Sequence, residues 1–303
     1  MSRLIFLFVD GFGAGKNDEV NNPFFIYRLN FFEKFFGGQP YEGNLPMVSV
    51  DKRILLKGID ARMEIEGLPQ SGTGQTSILC GVNASEIVGQ HFGPFPHTTL
   101  LPFLEKESII SDFLRAGKRV HFMNAYPQVF FDYINAGKKR LGAFAMSAML
   151  NGLRLNGVDE VLAGDALTAE ITGERWNIHL GYKLPLITPE AAAERLLRKS
   201  AENDLLIYEY FLTDHIGHGR IKDEAEKLVR MFDRFITAIF TGFNDADTTV
   251  FMCSDHGNFE DLSVKSHTLN PALMIAAGKH KEELSARIKS LPDIKPALTN
   301  LFL

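Results

Sequence analysis

The chain has 303 residues, of which 45% are hydrophobic and 23% charged, with a net charge of −5. These are the proportions of a soluble globular protein, long enough for one large or two ordinary domains. The acidic balance and the lack of a Lys/Arg block argue against a nucleic-acid partner, and no run approaches the ~18 apolar residues of a membrane span.

Leu4–Val9 is a continuous apolar run that stops at Asp10. It reads as a buried parallel strand and is too short for a signal-peptide core. The two cysteines, Cys80 and Cys253, lie far apart in apolar contexts. They read as reduced core thiols, and the expected location is cytoplasmic. Phe25, Leu29, Phe32 and Phe36 form a helical stripe, widened by Phe24, Phe31 and Phe35. This predicts a buried amphipathic helix. A homodimer face is the second reading. An interfacial membrane helix is the third, but only Arg28 and Lys34 supply positive charge.

Ser71-Gly72-Thr73-Gly74-Gln75-Thr76 reads as a glycine-rich turn, with a helix beginning at 77–81. Residues 108–116 look helical, and a strand over 119–124 follows the stop at Ala116-Gly117-Lys118. The stretch 128–185 fits the alternation least. It contains a helical segment, 143–153, and is expected to be a small cap inserted into a core of 1–127 and 186–303. Pro189 opens a helix over 189–201 with Thr188 as its cap. A strand is expected over 205–212. Residues 222–240 give the clearest helix, with Leu228, Phe232 and Ile239 inward and Asp223, Glu226, Arg230, Asp233 and Arg234 outward. Thr248–Cys253 is another buried strand. The alternation predicts an α/β three-layer sandwich with a mostly parallel central sheet.

Asp10, Asp214 and Asp255 each fall just after an expected strand, at the sheet edge where ligands bind. His218 follows Asp214 at same-face helical spacing, His256 follows Asp255, and His267 lies between Ser266 and Thr268. Carboxylates and imidazoles together suit Mn, Zn or Fe, and the set exceeds one ion's coordination. Two divalent ions beside a hydroxyl suit in-line displacement at phosphorus. Thr76 is the expected nucleophile, at the expected helix start, where free N–H groups favour phosphate. Ser71, Thr73 and Ser77 compete on chemistry alone. A Walker loop would need a lysine here. Asp10-Gly11-Phe12-Gly13-Ala14-Gly15 lacks the dinucleotide spacing and places a carboxylate against a would-be pyrophosphate.

These motifs, together with Gly67-Leu68-Pro69, Ser254-Asp255-His256-Gly257-Asn258 and His267-Thr268-Leu269-Asn270-Pro271, resemble the alkaline phosphatase superfamily. Within it they are most similar to the branch of cofactor-independent phosphoglycerate mutase and phosphopentomutase. The resemblance implies two metal sites, one of Asp214, His218 and His267, the other of Asp10, Asp255, His256 and Thr76. It also implies phosphoryl transfer to the hydroxyl, giving a phosphothreonine, and then to water or a substrate hydroxyl. A mutase of this branch has serine at the nucleophile position and a larger inserted domain. The short insertion here favours hydrolysis of a small phosphorylated substrate, a mono- or diester, over mutase chemistry. A degenerate binding protein is the remaining alternative, and the intact ligand set speaks against it. Asn83, Arg220 and Lys265 are candidate substrate-binding residues, and Asn258 a candidate hydrogen-bond donor to the ligands.

Overall fold

Apolar runs with no polar interruption are stable only when both faces are covered, and that burial organises the chain. In the computed structural model, which describes residues 2–138 and 140–303, seven strands form one sheet in the order β2-β3-β7-β6-β1-β5-β4. They are β1 (Arg3–Val9), β2 (Met47–Val48), β3 (Ile54–Ile59), β4 (Val120–Phe122), β5 (Leu205–Tyr210), β6 (Thr248–Cys253) and β7 (Ala272–Ala277). β4, β5, β1 and β6 run parallel. β7, β3 and β2 extend the sheet in antiparallel pairings. One core cluster covers each face of the sheet, giving the expected three layers. No described helix is long and apolar enough to cross a membrane.

β1 lies at the centre between β5 and β6, with Phe8 opposite both Glu209 and Cys253. The three strands therefore end level. Asp10 follows β1 directly, Asp214 follows β5 in the helix Leu212–Gly217, and Asp255 follows β6. Register alone brings the acids to one edge.

The phenylalanine-rich segment is two helices, Pro23–Tyr27 and Asn30–Phe36, broken at Arg28, which is left-handed with φ 49°. Asp233 explains the break. Its carboxylate accepts from Asn30 N and Phe31 N, both at 2.8 Å, and so caps the second helix from outside. Asp233 is therefore buried in the Ala225–Gly242 helix and does not face outward as its spacing suggested. Phe24, Phe31 and Phe32 are fully buried, which supports the core reading of this segment.

The stretch 71–76 is not a turn. A helix runs Ser71–Cys80, starting six residues earlier than the sequence suggested, and every residue in it is buried. Its glycines serve close approach. A Cβ on Gly72 would overlap the Phe95 carbonyl oxygen, and one on Gly74 would lie 3.0 Å from Asp255 Cβ. The helix can press against the Phe95 and Asp255 segments only because these positions lack side chains.

Residues 128–185 divide between layers. The helix Ala143–Leu150 belongs to the core, where Phe144 packs edge-on against Phe6 at 5.9 Å and lies 4.6 Å from Phe8. The helix Gln128–Asn135 has no buried residue. A separate small apolar cluster holds Trp176, Val161 and Leu184 together.

Candidate metal centre

The side chains at this edge converge in two linked groups. His218 Nε2 lies 3.3 Å from Asp214 Oδ1 and 3.2 Å from His267 Nε2, and His267 Nε2 lies 3.5 Å from Asp214 Oδ1. His256 Nε2 lies 3.3 Å from Asp10 Oδ1 and 3.4 Å from Asp255 Oδ2. The His256 and His267 rings stack at 3.7 Å and join the groups. Asp214, His256 and His267 also come close enough to share an ion, so His256 sits between the two positions.

The donors fit cations. Asp10 Oδ1 and Asp255 Oδ1 are buried without a hydrogen-bond partner among the described residues. Burial, then the neighbouring carboxylates Asp255 and Asp214, raise the Asp10 carboxyl well above its usual range. Burial pushes Asp255 up to about 7. Packing acids this closely is unfavourable for the ionised forms, and divalent ions reverse that penalty. Burial holds His256 well below the usual imidazole range, leaving its lone pair free. His218 Nδ1 meets the Lys265 carbonyl at 2.7 Å, and His267 Nδ1 meets the Pro69 carbonyl at 2.5 Å. A carbonyl only accepts, so each Nδ1 carries the proton and each Nε2 presents a lone pair to the centre.

Ser71, not Thr76, is the hydroxyl at this centre. Ser71 Oγ lies 3.0 Å from His256 Nε2. Thr76 is fully buried in the second turn, and its Oγ1 donates to Gly72 O at 2.7 Å. A helix turns about 100° per residue, so the face carrying Ser71 and Gln75 cannot also carry Thr76. Gln75 Nε2 approaches Asp10 Oδ2 at 3.2 Å and Asp255 Oδ2 at 3.4 Å. Of the other hydroxyls considered, Thr73 donates to Gln70 O and Ser77 to Thr73 O.

Asn83 is not at the centre. It caps the helix Ala84–Val88 and donates to Met63 O at 2.9 Å. Lys265 contributes its carbonyl to His218, while the residue itself is exposed. Arg220 does belong here, with Nη1 4.0 Å from Asp214 Oδ2. Asn258 Nδ2 donates to Asp214 Oδ1 at 2.7 Å, as expected of a donor to the ligands. A cavity of about 650 Å³ opens onto Asp10, Ser71 and Asp214, and Arg140, Arg220 and Glu209 also line it. Burial first, and Asp255 second, push Glu209 up to about 8.

Glu260, which sequence reasoning missed, fastens three of the ligand-bearing loops. Its Oε2 accepts from Gly13 N at 3.2 Å and Asn258 N at 2.8 Å. Its Oε1 accepts from Thr268 Oγ1 at 2.5 Å and Asn270 Nδ2 at 2.9 Å. The glycines after Asp10 make room for it, since a Cβ on Gly13 would lie 2.6 Å from Glu260 Cδ. Four donors demand a carboxylate, and an amide there would set N–H against N–H. Glu260→Gln should therefore weaken Mn binding by about 10–100-fold. Calorimetric titration measures this, and wild-type affinity in the variant would refute the role.

The chain is similar in sequence and fold to known proteins. The phosphoglycerate mutase (2,3-bisphosphoglycerate-independent) of Clostridium botulinum aligns at 27% identity over 126 residues, 39% of this chain and 25% of that enzyme. The Halobacterium salinarum mutase aligns at 28% over 126 residues, with the same coverages. The match thus spans a quarter of the length of these relatives. Alkaline phosphatase from the Antarctic bacterium TAB5 shares the fold with a TM-score of 0.51 at 13% identity, covering 99% of this chain and 97% of that one. Fold and centre together define a metalloenzyme. The chain belongs to the Metalloenzyme superfamily, which it matches over residues 2–303.

Proposed function

We propose that the protein hydrolyses phosphate esters with two divalent ions, Mn or Zn, through a phosphoserine at Ser71. Asp214, His218 and His267 would hold one ion, and Asp10, Asp255, His256 and Ser71 the other. Bound ions would lower the pKa of the Ser71 hydroxyl and offset negative charge on the transferring group. Ser71 Oγ loses its proton to water and bonds to phosphorus as the ester P–O bond breaks. The departing alcohol oxygen takes up a proton. Water then attacks phosphorus and releases Ser71 Oγ. Arg220, against Asp214, is placed to bind phosphate oxygens.

The observation that carries hydrolysis is the open wall of the cavity. Val129 lines it and is 61% exposed, so the cavity opens to solvent. A mutase has to keep water from its phosphoenzyme while the intermediate reorients. The aligned mutases favour that second reading. Incubation of the Mn- or Zn-loaded protein with a chromogenic phosphomonoester, followed by phosphate release, tests hydrolysis. No turnover with either metal, alongside a phosphosugar or phosphoglycerate isomer shift by NMR, would replace it with mutase chemistry.

A further inference from the structure

The helix Gln128–Asn135 lies over the core beside the metal centre and leaves part of its apolar face uncovered. Its Phe130, Phe131, Tyr133 and Ile134 are half-buried against the core, none of them fully, and its Val129 is exposed. Val129, Phe130 and Tyr133 line the cavity at the metal centre. Tyr126, stacked on Phe130 with ring centroids 4.1 Å apart, and Phe95 and Phe211 complete an aromatic wall. The phosphoryl-directed groups lie at the metal end. Ser71 and Asp10 meet His256, and Arg220 meets Asp214. Exposed apolar groups continuous with a catalytic centre mark a binding surface.

We infer that the preferred substrates are phosphate esters of an apolar, ring-bearing alcohol, with the phosphoryl group at the metal centre and the ring against Phe130, Val129 and Tyr126. A polyol or sugar would leave hydroxyls unpaired against the Val129, Phe130 and Phe95 side chains, which is unfavourable. A planar ring gains both apolar burial and offset stacking. This substrate class rests on the phosphoryl-transfer reading above, but its test does not require turnover.

The test is calorimetric binding of three phosphonates to the Mn-loaded protein: ethylphosphonate, 2-phenylethylphosphonate and 2,3-dihydroxypropylphosphonate. The phenylethyl compound should bind about tenfold more tightly than the ethyl compound, and the dihydroxypropyl compound no more tightly than the ethyl. Phe130→Ala should remove most of the phenylethyl advantage. Val129→Asp, at an exposed position that cannot threaten folding, should do the same by placing a charge beside the ring. Equal binding of all three compounds, tighter binding of the dihydroxy compound, or an undiminished phenylethyl advantage in Val129→Asp would overturn the inference. Absence of hydrolysis beside the expected binding order would instead count against the hydrolase reading alone.

Discussion

Ser71→Ala should lower phosphoryl transfer by a factor on the order of 10³ or more, while leaving the carboxylates and imidazoles able to bind metal. The reason is positional. Ser71 is the hydroxyl within hydrogen-bond distance of His256, whereas the Thr76 hydroxyl is occupied by Gly72 O one turn back. Thr76→Ala should therefore remain active. Its cost is a lost buried hydrogen bond and some packing, about 1–2 kcal/mol of stability. Steady-state kinetics on the two variants separate the roles directly. Mass spectrometry of quenched wild-type reactions adds an independent check. Cleavage at Arg62 and Lys106 leaves both hydroxyls on one peptide, so fragmentation has to place the phosphate on Ser71. An inactive Thr76→Ala with metal bound, beside an active Ser71→Ala, would reverse the assignment.

The meeting of the three acids was legible because each falls within a few residues of a strand's end. A strand that stops at a carboxylate leaves a mark in the sequence, and parallel register does the rest. The hydroxyl beside the centre was not legible in the same way. Gly72 and Gly74 read as turn residues, so the helix was expected to begin after them, at 77. In the fold they are helical and serve contact with Phe95 and Asp255. A glycine's local meaning depends on what packs against it, which a single sequence does not reveal. Asp233 misled for a related reason. Its helical position suggested solvent, but a helix from elsewhere in the chain begins on its carboxylate. Glu260 was missed because its four donors come from three separate loops. The insertion was legible only in part, since its middle helix, Ala143–Leu150, fills the core beside Phe6 and Phe8.

Asp255→Asn should abolish turnover and metal binding at the site it shares with Asp10 and His256, yet make the metal-free chain more stable than wild type at pH 8. Asp255 has no exposure, and its Oδ1 lacks a hydrogen-bond partner among the described residues. Burial raises its carboxyl from 3.8 to about 7. Between those values the folded chain binds more protons at this site than the unfolded chain does. Stability contributed by the site therefore falls as pH rises through that window. Asparagine does not ionise and escapes the loss. The stability difference between variant and wild type should then grow from about pH 4 and level off above about pH 7. Removing the Asp255 charge also relieves Asp10, whose carboxyl it helps to hold up, which enlarges the difference in the same direction. Added Mn should reverse the order, because only the wild-type carboxylate ionises toward a cation and metal affinity rises with pH. Thermal denaturation of both proteins across this range, with chelator and with Mn, measures each part. A variant less stable than metal-free wild type at pH 8, or one that Mn stabilises as strongly as it does wild type, would show that Asp255 holds the fold together instead of holding a cation.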